Sequence, residues 1–185
     1  MATRKSFIRN FWKEKKMVGA MSPSSPFLAK KMLESIDFKK TKVIVELGPG
    51  TGVFTKKMVE LMADDAILLV FELNDSFMQL LEKTIVDKRV HLIHDSAENI
   101  TTYLKQYGFE KADVILSSLP LANFPVDLKM RILTESKSVM HQDSLYVQFQ
   151  YSLNAKKVIK EIFRTVAITF TPVNFPPAFV YTCRI

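Results

Sequence analysis

The stretch that most constrains this chain is Val-Ile-Val-Glu-Leu-Gly-Pro-Gly-Thr-Gly, residues 43–52. A β-branched apolar run ends on an acid, Glu46, and glycines then stand at every second position: Gly48, Gly50 and Gly52. Beyond them Val53, Phe54, Met58, Val59, Leu61 and Met62 recur at helical spacing. This reads as strand, tight turn and helix. A turn of that composition lets a ligand approach bare backbone amides and sets it at a helix N-terminus.

The glycine spacing separates two kinds of nucleotide-like ligand. A dinucleotide fingerprint needs Gly-x-Gly-x-x-Gly, but its third glycine position is occupied here by Val53. The pattern is instead Glu-x-Gly-x-Gly-x-Gly, with Thr51 between the last two glycines. It resembles motif I of the class I S-adenosylmethionine-dependent methyltransferases. That resemblance implies S-adenosylmethionine as cofactor, whose amino-acid end needs close backbone and a nearby carboxylate. The alternative is a strand-to-helix turn with no ligand.

From residue 41 onward strands and helices alternate. Periodicity predicts strands at 43–47, 67–73, 90–94, 114–118 and 145–150, and helices at 53–63, 75–86, 100–107, 127–140 and 155–162. Alternation of this kind predicts a mostly parallel sheet covered on both faces. The last two strands, 163–171 and 178–185, are joined by too short a link for a crossover helix, so they form an antiparallel hairpin. The expected fold is α/β: a seven-stranded, Rossmann-like class I methyltransferase sheet with this C-terminal hairpin, preceded by N-terminal helices. The expected organisation is one domain over 1–185, with a basic helical segment at 1–40 and a cofactor-binding core at 41–185.

Composition narrows the class. One cysteine, Cys183, rules out an internal disulfide and a cysteine metal cluster, and the three histidines are scattered, so no metal site is expected. No apolar run approaches the roughly 20 residues of a membrane-spanning helix. The basic N-terminus lacks the apolar centre of a signal peptide, and the chain reads as cytoplasmic. Charge is concentrated: residues 1–42 carry eleven Lys and Arg against three acids, net +8, whereas the remainder carries fifteen against sixteen, net −1. A basic arm on a near-neutral body fits an anionic surface, either lipid headgroups or nucleic acid. A solvated arm is the plain alternative.

Within that arm, residues 3–16 suit a helix with Phe7, Ile8, Phe11 and Trp12 on one face and Arg9, Lys13 and Lys16 opposite. Aromatic residues facing basic ones make the composition of an interfacial helix, so Phe7, Phe11 and Trp12 are candidates for peripheral attachment to the inner face of a membrane. Docking of the same face onto the chain's own core is the competing reading. Ser24 or Ser25 is placed as N-cap of the following helix, with Pro26 in its first turn.

In such sheets ligands bind beyond the carboxyl ends of the strands. After the glycine loop, the second strand ends on Glu72 and Leu73; Glu72 lies 20 residues beyond Gly52, where an acid can accept from both ribose hydroxyls. The third ends at Asp95, Ser96 and Ala97, with Asp95 able to accept from an adenine amine or to cap the next helix. The fourth ends in Ser117-Ser-Leu-Pro-Leu-Ala-Asn-Phe-Pro125. Ser117, Ser118, Leu119 and Pro120 are candidates for the reacting end, Ser117 also for the cofactor, and Ser22, Ser24 and Phe124 for a lid over both. Enzymes acting on the exocyclic amine of adenine typically read Asn-Leu-Pro-Tyr in this loop. Here Ser118 replaces the amide and Leu121 the aromatic.

The aromatic-basic first helix, Gly19-Ala-Met-Ser-Pro-Ser-Ser25, the glycine motif, the Ser-Leu-Pro-Leu loop and Asn174-Phe-Pro-Pro-Ala178 together resemble the small bacterial phospholipid N-methyltransferases. The resemblance covers nearly the whole length. It implies methyl transfer from S-adenosylmethionine to a headgroup amine such as that of phosphatidylethanolamine, with an anionic membrane as partner. A weaker resemblance to ribosomal RNA adenine dimethyltransferases implies RNA as the alternative acceptor. A non-catalytic binding module of the same fold is the third reading.

Overall fold

The structure is a computed structural model that describes residues 25–185. Its centre is a seven-stranded sheet with spatial order β3-β2-β1-β4-β5-β7-β6. The strands are β1 (Val43–Leu47), β2 (Ile67–Phe71), β3 (Val90–Ile93), β4 (Ala112–Ser117), β5 (Met140–Gln150), β6 (Thr165–Thr171) and β7 (Ala178–Arg184). The first five pair in parallel, and β7 runs antiparallel to both β5 and β6. This is the class I methyltransferase arrangement expected from the alternating pattern. The helices are α1 (Pro26–Leu33), α2 (Val53–Leu61), α3 (Asp75–Thr84), α4 (Ile100–Gln106), α5 (Val126–Ser138) and α6 (Lys156–Ile162).

Two apolar layers flank the sheet, which is why β1 is buried at every position. On one face Ile44, Leu68, Val70, Val114 and Leu116 pack against Leu28 and Met32 of α1 and Phe54 and Met58 of α2. On the other, Val45, Leu69, Phe71 and Ile115 pack against Ile100 and Leu104 of α4 and against α5 and α6. Ser25 caps α1 as expected, its Oγ accepting from the Leu28 amide at 3.1 Å.

Several boundaries differ from those expected, most of all around β5. Helix α5 stops at Ser138 rather than at residue 140, and β5 begins at Met140 rather than at residue 145. The polar run His141-Gln-Asp143 conceals the start of β5, and the β4–β5 register jumps between Ala112 and Val114. Ser144 Oγ satisfies this irregularity: it accepts from the His141 amide and donates to the Ala112 carbonyl. Phe163 is not in a strand but is the buried C-cap of α6.

Candidate active site

The glycine turn leaves β1 and enters α2 with all three glycines at positive φ: 69° at Gly48, 58° at Gly50 and 79° at Gly52. Two of them also stand where no side chain fits. A Cβ on Gly48 would lie 2.8 Å from Leu119 Cδ2, and one on Gly52 would lie 2.8 Å from Leu81 Cδ2. Gly52 is the N-cap of α2 and makes no side-chain cap. The turn is thus a backbone cradle that opens onto a helix N-terminus.

Glu72 closes the cradle from β2. Its Oε2 accepts from the Gly50 amide at 3.2 Å and its Oε1 from the Asn74 amide at 2.8 Å. Burial pushes its pKa up, opposed by these backbone donors. Asn74 in turn caps α3, accepting from the Ser76 and Phe77 amides. Asp95, after β3, accepts from the Ser96 amide, Asn99 Nδ2 and the Tyr103 hydroxyl. The cap of the short 3₁₀ turn Ala97–Asn99 is Ser96, not Asp95.

A narrow cleft lies among these strand ends. Gly48, Glu72, Leu73 and the run Asp95, Ser96 and Ala97 line one side, and Leu119 and Phe124 line the other. Sequence-selected residues from four strand ends therefore converge on one space. Gly50 joins it through Glu72, Thr51 is exposed at the turn, and Pro120 is half-buried on the loop. Phe124 is buried, packed into the core as part of the cleft wall. Ser22, Ser24, Phe7, Phe11 and Trp12 lie outside the described residues.

Glu46 sits beneath the cradle rather than in the cleft. It is fully buried, Thr55 Oγ1 donates to its Oε2 at 2.6 Å, and its Oε1 has no partner among the described residues. Desolvation, reinforced by the neighbouring charge of Glu72, raises its pKa from 4.5 to about 8, so at neutral pH the carboxyl is protonated.

The loop after β4 is held by residues the sequence reading did not select. Ser117 is buried, its Oγ accepts from the Leu119 amide at 3.4 Å, and it bonds the Tyr146 hydroxyl, which donates to Gln148 Oε1. Gln148 Nε2 and Gln150 Nε2 both donate to the Leu119 carbonyl, at 3.1 and 2.8 Å. Gln150 Oε1 accepts from the Ala122 amide at 3.1 Å. Two glutamines of β5 thus clamp the loop from below. Their signal was available: Tyr146, Gln148 and Gln150 alternate on one face of a buried strand, where polar groups need partners. Ser118 Oγ is buried at the site with no partner among the described residues.

The site fits S-adenosylmethionine on its own geometry. A Cβ on Gly48 would press on Leu119 in the cleft wall, a buried carboxylate closes the turn, and Ser118 Oγ, next to Leu119, has no partner among the described residues. A wider apolar groove of about 1100 Å³ between α1 and α2, with Ala29, Leu33, Phe38 and Leu61 in its wall, has no such convergence. No group of three or more His, Cys, Asp or Glu among the described residues could hold a metal ion.

Comparison with known proteins agrees with this geometry. Residues 12–138 match the family model described as ribosomal RNA adenine dimethylase. The chain is 29% identical over 180 residues to an ornithine lipid N-methyltransferase of Singulisphaera acidiphila, covering 96% of this chain and 94% of that one. It is 21% identical over 178 residues to a ribosomal RNA small subunit methyltransferase A of Streptococcus mutans, covering 83% of this chain and 60% of the relative. Among solved structures, the N-methyltransferase NodS of Bradyrhizobium japonicum with S-adenosyl-L-homocysteine superposes with a TM-score of 0.71 at 12% identity, over 95% of this chain and 98% of that one. An rRNA methylase of Streptococcus thermophilus superposes at 0.62 and 16% identity, over 90% and 99%. At these identities the solved structures speak for the fold alone.

Proposed function

We propose, from the premise that this chain belongs to the ribosomal RNA adenine dimethylase family, that it methylates an aliphatic amine on a lipid headgroup, such as that of phosphatidylethanolamine. Methyl transfer from S-adenosylmethionine is the activity of the family; the acceptor is what is proposed. The observation that carries the reading is the loop after β4. A planar adenine amine needs an in-plane acceptor and a stacking surface once its base leaves the stack. The amide and the aromatic are replaced by Ser118 and Leu121, Leu121 is buried, and the Leu119 carbonyl already accepts from two glutamine amides. An aliphatic ammonium group asks less: apolar walls, which Leu119 and Phe124 supply, and a nearby hydroxyl, for which the buried Ser118 Oγ beside Leu119, unpaired among the described residues, is the candidate. The ornithine lipid N-methyltransferase matches this chain almost end to end, which supports the same choice.

The cofactor supplies an already activated methyl group, so the protein's task is positioning. In this reading the Gly48, Gly50 and Gly52 backbone receives the amino-acid end, Glu72 takes the ribose hydroxyls and Asp95 faces the adenine. Leu119 and Phe124 exclude water beside the reacting atoms. The acceptor must shed a proton before it attacks. Because Ser117, Ser118, Leu119 and Pro120 offer hydroxyls and carbonyls rather than a base, that proton passes to water.

The test is label transfer from methyl-labelled S-adenosylmethionine to phosphatidylethanolamine vesicles and, in parallel, to unmodified ribosomal RNA. Label in the lipid alone is expected. Label in the RNA alone would overturn the acceptor assignment, and label in neither would direct attention to another small amine or to a binding module.

A further inference from the structure

We propose that the turn joining β6 to β7, residues 172–177, together with Tyr151 and Leu153, is a bilayer-contacting surface that seats the cleft against anionic lipid. The inference rests on the lipid reading above. It is distinct from any contact made by the basic arm at residues 1–24.

The first observation is exposure that no contact among the described residues explains. Phe175 is 89% and Val173 63% exposed, and Phe27, Phe170, Tyr151 and Leu153 are exposed as well. Single exposed apolar residues are ordinary, but a group of six around one edge marks an interaction site.

The second observation is that these residues are held together. Asn174 is 3% exposed, a buried polar peg at the middle of the turn. Its Oδ1 accepts from the Ser25 amide at the start of α1, its Nδ2 donates to the Pro176 carbonyl, and it hydrogen-bonds the Tyr151 side chain. The Phe170 ring leans on Phe179 at 5.1 Å and Tyr151 on Phe149 at 5.4 Å. With its polar peg satisfied inward, the turn presents Val173 and Phe175 outward from a fixed base.

The third observation is place. Gln150, Phe179 and Phe170 are register partners across β5, β7 and β6. Because β6 runs parallel to β5, the turn that follows it projects beyond the carboxyl ends of the parallel strands, where the cleft opens. Gln150 also holds the loop that carries Leu119. From β4 to β6 is three strand spacings, about 15 Å. A surface touching the turn therefore lies alongside the reacting end of the cleft.

Charge selects the partner. Residues 144–185 contain five Lys and Arg and a single acid, Glu161. Lys156 and Lys157 stand exposed in the first turn of α6, just after Leu153, where cations are unfavourable to the helix dipole and so serve something other than helix stability. Exposed apolar side chains with cations nearby on the same segment match the boundary between acyl chains and anionic headgroups. A phosphate-tracking RNA surface would instead present donors at its tip, which Val173 and Phe175 lack.

The experiment compares the full chain with a V173S/F175S double variant. Three quantities are read: cosedimentation with vesicles of phosphatidylethanolamine and phosphatidylglycerol, methyl transfer to that phosphatidylethanolamine in vesicles or in detergent micelles, and cofactor affinity by calorimetry. The variant is expected to lose at least fivefold in vesicle binding and in vesicle methylation, with micellar activity and cofactor affinity within about twofold. Unchanged micellar activity also reports an intact fold. A K156Q/K157Q variant should lose vesicle binding only when phosphatidylglycerol is present. A V173S/F175S protein that binds and methylates vesicles like the parent would overturn the surface while leaving the lipid reading intact. A parent that methylates no lipid, with a double variant that still loses vesicle binding, would overturn the acceptor and keep the surface. Loss of RNA affinity in place of vesicle affinity would overturn it in favour of nucleic acid.

Discussion

Glu46 Oε2 has the Thr55 hydroxyl, Oε1 has nothing among the described residues, and burial raises the pKa from 4.5 to about 8. Between those values the folded protein keeps a proton that the unfolded chain has released. Stability therefore falls as pH climbs through that window, and the contribution is intact below it. The loss is on the order of a few kcal/mol. The raised pKa of Glu72 acts with the same sign. Urea unfolding midpoints measured between about pH 5 and pH 8 should decline for the parent protein and decline less steeply for Glu46→Gln. Equal slopes would mean that Glu46 does not titrate as its burial implies. Gly48 makes a second residue-scale prediction. Gly48→Ala would hold a Cβ at a φ of 69° and 2.8 Å from Leu119 Cδ2. The strained backbone alone costs about 1–3 kcal/mol. Calorimetry should show cofactor affinity reduced more than tenfold; unchanged affinity would remove this glycine from the cradle.

At the scale of elements, the loop after β4 has its conformation set by β5. Replacing Gln150 by leucine removes the donor to the Leu119 carbonyl and the acceptor for the Ala122 amide. The Leu119 carbonyl keeps the Gln148 donor, but the part-buried Ala122 amide loses its acceptor, which costs about 1–3 kcal/mol. Because Gln150 does not line the cleft, kcat should fall at least tenfold while calorimetric affinity for the cofactor changes less than about threefold. Gln150→Glu keeps an acceptor for Ala122 but sets a second acceptor against the Leu119 and Phe149 carbonyls, so it should not recover the loss. A variant that loses cofactor affinity and kcat together would assign Gln150 a general structural role instead. β5 also shows why sequence reading faltered here. A strand was expected at 145–150 from its apolar positions, but its first residues are the polar His141-Gln-Asp143, paired across an irregular register. Periodicity cannot report pairing that Ser144 makes possible through hydrogen bonds to the backbone.

For the whole molecule, the charge is uneven: residues 1–24 carry net +5, and the body at residues 25–185 carries net +2. If the arm and the β6–β7 turn both meet lipid, their contributions respond differently to salt. Each basic side chain near an anionic surface adds about 1 kcal/mol within a Debye length of roughly 10 Å. Apolar burial is not screened. Binding to phosphatidylglycerol vesicles should therefore weaken steeply, without vanishing, as salt rises from about 0.05 to 0.5 M. Trp12, the only tryptophan, reports on the arm: a blue shift and gain in fluorescence on adding vesicles is expected, and an unmoved spectrum would exclude its contact with the bilayer.

The sequence by itself determined the sheet order of business: which segments are strands, that five run parallel, and that a short link forces the last two into a hairpin. It also marked Glu46, the three glycines, Glu72, Asp95 and the Ser-Leu-Pro-Leu loop, because strand ends and turn residues follow local rules of period and backbone freedom. Only the tertiary structure decided that Glu46 is buried beneath the cradle with its pKa raised, that Gln148 and Gln150 hold the Leu119 carbonyl, and that Val173 and Phe175 stand exposed in the β6–β7 turn. These depend on burial and on partners far apart in the chain: Gln150 lies 31 residues from Leu119, and Asn174 lies 149 from Ser25. Desolvation and long-range hydrogen bonding are properties of the packed chain, and no local pattern encodes them.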